Sequence, residues 1–228
     1  MNQLLLDIAP DSQPTLDNFV VGRNLELLSA LRHALAGSSE RCFYMWGETG
    51  SGKSHLLQAC VRAAQDMQQN AIYAHGSVPQ SAAVAAVDDV EQLDEAAQIA
   101  LFNFYNQMRD SGGMLLVSGK ESPLYLKLRD DLRTRLGWGL VYQVHVLSDE
   151  EKAQALVQHA HSRGFVLPSE VTQYLLRHGR RDLPSLMAVL DALDVHSLSL
   201  HRAPSVPLLK EVLQQKTTAQ LLRSPIPR

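Results

Sequence analysis

The stretch Gly47-Glu48-Thr49-Gly50-Ser51-Gly52-Lys53-Ser54 constrains this chain more than any other. It fits the phosphate-loop pattern G-x-x-x-x-G-K-[ST], and its flanks supply the context that pattern needs. Cys42-Phe43-Tyr44-Met45-Trp46 is a short apolar run rich in aromatics, the look of a buried strand. From Lys53 to about Met67 the residues read as a helix, with Leu56, Leu57 and Cys60 turned inward. Strand, glycine turn and helix together aim successive backbone N–H groups into one concavity, and the helix N-terminus adds partial positive charge. In such a loop Lys53 reaches the β- and γ-phosphates, the Ser54 hydroxyl ligates Mg²⁺, and His55 opens the helix beside them. The expected ligand is a nucleoside di- or triphosphate.

A second motif follows. Ala71-Ile72-Tyr73-Ala74 reads as a strand, and Ala82 to Asp89 as another, an apolar run ending in two acids. Taken alone, a strand ending in Asp-Asp is often just a turn. Behind a phosphate loop it has a job: Asp88 holds Mg²⁺ opposite Ser54, and Asp89 positions the attacking water. The segment from His75 to Ser81 is short for a parallel crossover, so an irregular link without a helix is expected.

Further on, the spacing predicts helices over 93–110 and 124–136, a strand over Met114–Ser118 and a fifth strand over Leu140–Val146. At Ser148 the character changes. Ser148-Asp149-Glu150-Glu151 fits a capping box, and helices alone follow at about 149–162, 169–178, 183–196 and 206–215. The expected organisation is an arm over 1–13, an α/β domain over 14–147, a small all-helical domain over 148–215 and a disordered tail over 216–228. In the α/β class, five parallel strands are expected.

Composition narrows the function classes. A net charge of −3 argues against a chain whose main work is neutralising DNA phosphates. Nothing in the sequence approaches a membrane span, and the N-terminus lacks a signal-peptide pattern. Cys42 and Cys60 fall on the strand and helix beside the loop, so buried thiols and a reducing cytoplasm are expected. The nine histidines make no metal set.

With two nucleotide motifs, five strands and a helical lid, the chain resembles an AAA+ ATPase of the DnaA-like family. Leu16-Asp17-Asn18-Phe19-Val20-Val21-Gly22 is similar to the adenine-pocket segment of the replication initiator DnaA, which implies that Phe19, Val20 and Val21 contact the base. Arg133 to Leu140 resembles that family's arginine-finger block, with Arg135 as the finger, and Arg181-Asp182-Leu183 resembles its sensor 2, with Arg181 as the arginine. The missing DNA-binding domain makes the chain look like Hda, the family of regulatory inactivators of DnaA. Gln3-Leu4-Leu5-Leu6-Asp7-Ile8 is similar to the peptide by which that family docks on the replicative sliding clamp, which implies contacts from Gln3, Leu4, Leu6 and Ile8.

The resemblance implies bound ADP or ATP with Mg²⁺, DnaA and the DNA-loaded clamp as partners, and DNA contact mainly through the clamp. It leaves homo-oligomerisation open. Departures from the initiator pattern are Ser118-Gly119-Lys120, where DnaA has an acid at the strand end, and Asp131, where it has another arginine. The second of these weakens any case for an initiator-like filament. Two other readings stand beside the regulator: a self-sufficient ATPase such as a helicase loader, and a small-molecule kinase. The loader lacks a basic stripe or aromatic groove for single strands, and the kinase lacks an acceptor site.

Overall fold

The computed structural model describes residues 13–37, 40–180 and 182–223, with side chains up to residue 214. The chain divides into two compact units, one ending at Val146 and the next beginning at Leu147.

The first unit is built on β1 (Cys42–Trp46), β2 (Ala71–His75), β3 (Val84–Asp88), β4 (Met114–Gly119) and β5 (Leu140–Gln143). They form one sheet in the order β2-β3-β4-β1-β5, with every pairing parallel. A parallel sheet covered on both faces needs apolar residues at successive positions, and β3 and β4 are buried along their whole length. Phe43, Met45, Val84, Ala86 and Leu116 pack with α1 (Leu25–Leu35) and α2 (Lys53–Asp66). Tyr44, Ala85, Val87, Leu115 and Val117 pack on the other face with α3 (Glu95–Ser111) and α4 (Asp130–Leu136). Residues 76–83 join β2 to β3 without a helix, as expected from their length. The Asn70 carbonyl accepts from the Ala83 and Val84 N–H groups, at 2.8 and 3.2 Å, and starts β3 in register.

Three elements are shorter than the sequence suggests. The helix expected over 124–136 begins only at Asp130, because the Arg129 N–H donates to Gln98 Oε1 at 3.0 Å rather than into a preceding turn. Asp130 and Asp131 then occupy the first turn, where the helix dipole favours carboxylates. The third strand starts at Val84 and stops at Asp88, since Asp89 turns into the left-handed region at φ 51°. The fifth strand stops at Gln143 instead of Val146. Its continuation is held by a side chain: Asn24 Oδ1 accepts from the His145 N–H at 2.8 Å, and Asn24 Nδ2 donates to the His145 carbonyl at 3.0 Å.

The second unit contains α5 (Asp149–Ser162), α6 (Ser169–His178), α7 (Leu183–Leu200) and α8 (Val206–Arg223). The capping box at its entrance is formed, with Ser148 Oγ accepting from Glu151 N–H and Glu151 Oε2 accepting from Ser148 N–H. Leu156, Val171, Leu175, Leu186, Leu190, Leu193 and Leu208 make its core. Two helices outrun their sequence limits: α7 continues to Leu200, and α8 reaches Arg223, into the stretch expected to be a disordered tail. Among the described residues α7 alone is long and apolar enough to cross a membrane by length and composition. Its Leu186, Leu190 and Leu193 lie in this unit's core.

Asn24 is buried, and its amide satisfies both polar groups of one backbone position across the first unit. Asn24→Ala should therefore lower stability by about 1–3 kcal/mol, the usual cost of orphaning buried backbone groups. Urea denaturation measures this directly. A midpoint equal to wild type would mean that the His145 backbone finds other partners.

Candidate phosphate-binding site

The loop between β1 and α2 has the backbone that its glycines permit. Gly47 sits at φ 151°, and a Cβ there would collide with the Val144 carbonyl oxygen. Gly52 sits at φ 102° as the N-cap of α2, and a Cβ would lie 2.8 Å from the ring of Phe19. No side chain caps α2, so its first-turn N–H groups are left for a ligand. Ser51 Oγ is buried without a hydrogen-bond partner at the same place. Lys53 is buried, and its Nζ donates to the carbonyls of Gly47 and Glu48 at 2.7 and 3.0 Å. Burial pulls its pKa down, while the nearby charges of Asp89 and Asp88 act in the opposite sense. An ammonium held by its own loop's carbonyls can exchange them for phosphate oxygens.

Beside the loop, the end of β3 presents Asp88. Ser118 Oγ donates to Asp88 Oδ1, as does the Asp89 N–H at 3.2 Å, and Tyr73 OH donates to Oδ2 at 2.6 Å. Ser54 lies beside the Asp88 carboxyl and acts on it in the same sense. Burial alone would raise the Asp88 pKa, but these donors outweigh it and hold the carboxyl below the ordinary aspartate range. Among the described residues no cluster of three or more His, Cys, Asp or Glu could hold a metal unaided. Ser54 and Asp88, already in contact, fit a Mg²⁺ that takes most of its remaining ligands from phosphate and water.

Asp89 has side-chain neighbours of its own. Its Oδ2 accepts from Gln92 Nε2 at 3.1 Å and lies 4.0 Å from His75 Nδ1. Ser118, the polar residue at the end of β4, is committed to Asp88 and to the Asp89 N–H at 3.0 Å. Lys120 lies 3.7 Å from Glu91.

The segment expected to contact a base lies against the start of α2. Phe19 is buried on Gly52, with its ring centroid 5.5 Å from that of His55. His55 Nε2 bonds the Thr15 carbonyl at 2.9 Å, and Val20 and Val21 are half-buried beside it. Glu48, Thr49 and Gly50 form the loop's exposed rim, with Gly50 in the left-handed region at φ 83°.

Arg135 is held elsewhere. It ends α4, and Gly139 in the turn after it packs on the carbonyl of Cys42, at the start of β1. The phosphate loop leaves the other end of β1, roughly 15 Å away for a five-residue strand. The Arg135 guanidinium lies 4.0 Å over the ring of Trp138 and 5.5 Å from that of Phe102. No ion pair to a carboxylate is found for it among the described residues. Asp131, its neighbour one turn back, pairs with Arg129 at 3.1 Å. Arg181 and the arm residues Gln3, Leu4, Leu6 and Ile8 lie outside the described residues.

Sequence reasoning missed Tyr73 and Asn24. Nothing marks Tyr73 in an apolar strand as a partner of Asp88; only the pairing of β2 with β3 brings it there.

Two family models match the chain: the Hda lid domain over residues 149–213 and the bacterial DnaA ATPase domain over residues 11–78. An uncharacterized protein of Haemophilus influenzae is 36% identical over 226 residues, covering 92% of this chain and 98% of its own length. Among solved structures, domain III of Thermotoga maritima DnaA superposes with a TM-score of 0.73 at 20% identity, covering 90% of this chain and 97% of that one. Aquifex aeolicus DnaA bound to AMPPCP gives a TM-score of 0.71 at 21% identity, covering 81% of this chain but only 65% of that one.

His55 makes the site's pH dependence readable. Burial lowers its pKa, against the opposing pull of the Thr15 carbonyl. The folded state then binds a proton less readily than the unfolded chain, whose histidine titrates near ~6.5. This contribution to stability is complete above that pH and is lost as pH falls below it. The thermal midpoint should drop between about pH 7.5 and 5.5, and drop less in His55→Gln. Equal slopes in the two proteins would remove His55 as the cause.

Proposed function

We propose that this chain, which belongs to the Hda/DnaA-like AAA+ family, is an adenine-nucleotide-binding regulator of chromosomal replication initiation. In this reading it works in the cytoplasm, docks on the DNA-loaded sliding clamp through Gln3, Leu4, Leu6 and Ile8, and stimulates hydrolysis of DnaA-bound ATP. The observation that carries it is the position of Arg135, at the end of the sheet opposite its own phosphate loop and stacked on Trp138, with no ion-paired carboxylate among the described residues. An arginine so placed does not reach phosphates held by Lys53, and it is available to those held by a neighbouring subunit. Supplied in trans, a guanidinium stabilises charge on the transferring phosphoryl group and is worth ~10³ to 10⁵ in rate.

Gly47 to Ser54 would hold the diphosphate of ADP or ATP, with Lys53 on its oxygens and Ser51 Oγ and the α2 N–H groups as further donors. Phe19, Val20, Val21 and His55 would line the base, and Arg181 would close on the phosphates from the lid. Bound nucleotide with Mg²⁺ supplies the negative charge and the cation that this cluster of donors and the Asp88 carboxyl suit. Asp89 would orient water for whatever turnover the protein has of its own. The intact Asp88-Asp89 pair beside Ser54 also favours a second reading, a self-sufficient AAA+ ATPase acting as a helicase loader. ATP turnover by the protein alone, against turnover only with DnaA and clamped DNA, separates the two.

Lys53→Ala should abolish ADP binding in calorimetry while the protein stays folded; unchanged affinity would refute the nucleotide site. In an assay of DnaA-bound ATP hydrolysis with clamp on DNA, Arg135→Ala should lose stimulation yet keep clamp and ADP binding. Arg135→Lys should restore little, since an ammonium lacks the planar fork that engages two oxygens. Deleting residues 1–9 should lose stimulation by losing the clamp. Wild-type stimulation by Arg135→Ala would favour the loader.

A further inference from the structure

We propose that Tyr73, on the edge strand β2, is the positioning residue that orients Asp88 toward the divalent cation of the nucleotide site. The inference rests on the nucleotide reading given above. It starts from the two oxygens of Asp88. Oδ1 accepts from Ser118 Oγ and from the Asp89 N–H, both supplied by the ends of β3 and β4. Oδ2 has Tyr73 OH at 2.6 Å. A carboxylate anchored at one oxygen alone can still turn about its Cβ–Cγ bond; anchoring the second oxygen fixes its plane.

Tyr73 faces the helix that follows the phosphate loop, sharing a cleft with Gln58, while Ser54 lies beside the Asp88 carboxyl. Ser54 and Gln58 are four residues apart on α2, one turn along the same face. Ser54 and Gln58 therefore stand along one face of α2 beside the hydrogen-bonded Tyr73–Asp88 pair. Ser54 and Asp88 are the two residues that fit Mg²⁺, so the Tyr73 hydrogen bond sets the direction of the Asp88 lone pairs there. Removing a hydrogen-bond partner that orients a metal ligand typically costs 10–100-fold in metal affinity.

The tyrosine is well placed for a clean test. It is half-buried and lines an open cleft of about 530 Å³ with Gln58 and Arg62, so removing its oxygen leaves no buried void. Burial, followed by the bond to Asp88, pushes its pKa up to about 12, which keeps it a donor at any working pH. The bland alternative is an edge-strand tyrosine whose hydroxyl has found a convenient acceptor, with no bearing on the cation.

The two differ in a Mg²⁺ titration. ADP binding to the full chain is measured by calorimetry in EDTA and across a range of Mg²⁺ concentrations, for wild type and Tyr73→Phe. We expect Tyr73→Phe to bind ADP in EDTA within about twofold of wild type, and to need about tenfold more Mg²⁺ for half of the cation's effect. An unchanged Mg²⁺ requirement overturns the proposal, because the hydroxyl then only satisfies a carboxylate. Equal loss of ADP binding with and without Mg²⁺ also overturns it, since Tyr73 would then support the loop and not the cation. Absence of ADP binding by wild type in both conditions is a different result, and it removes the nucleotide reading itself.

Discussion

A carboxylate withdrawn from water at the end of a fully buried strand must be met by donors, or the fold does not keep it charged. Asp88 is only 2% exposed, and what meets it comes from nearly every element around the site. β2 sends Tyr73, β4 sends Ser118, α2 sends Ser54, and the turn after β3 sends its own N–H group. The sheet order meets the same demand. β3 has β2 on one side and β4 on the other, so both of its neighbours can reach the oxygens of Asp88. The phosphate loop stands one strand further on, at the end of β1.

Both chemical motifs of this site can be read in the sequence because each is local. The glycines of the loop and the helix after it lie within one stretch of chain, and the paired acids end an apolar run that can hardly be anything but a buried strand. What is not legible depends on pairing between distant residues. Tyr73 gains its role from its place beside β3, and Asn24 from meeting His145, 121 positions away. The start of α4 was misread for a similar reason. Helical propensity runs back to Leu124, but Gln98 on another helix takes the N–H at Arg129 that a longer helix would have used. The polar residue at the end of β4 was open in the sequence, and the structure binds Ser118 to Asp88.

Arg135 and the phosphate loop lie at opposite ends of one sheet. The sheet keeps its phosphate-binding donors at the carboxyl ends of β1, β3 and β4, where α/β proteins place ligands. The helix bearing Arg135 delivers its last turn to the other end, where the ring of Trp138 carries the guanidinium and, among the described residues, no carboxylate pairs with it. Stacking on an exposed ring holds the charge outward at little cost in desolvation. Trp138 is 59% exposed, so the surface around the arginine is partly apolar.

The close approach of Gly47 to Val144 has a consequence for the order in which this domain assembles. β2 and β3 are joined by an eight-residue link over 76–83, so their contacts are local and their closure costs little entropy. β1 pairs with β5 across almost a hundred positions, Phe43 with Leu140, the slow kind of contact in a folding chain. The loop's first glycine settles only when the residue after β5 lies beneath it. A cradle that packs on the residue after β5 is complete only when that strand is in place, so a ligand held there favours the fully assembled sheet.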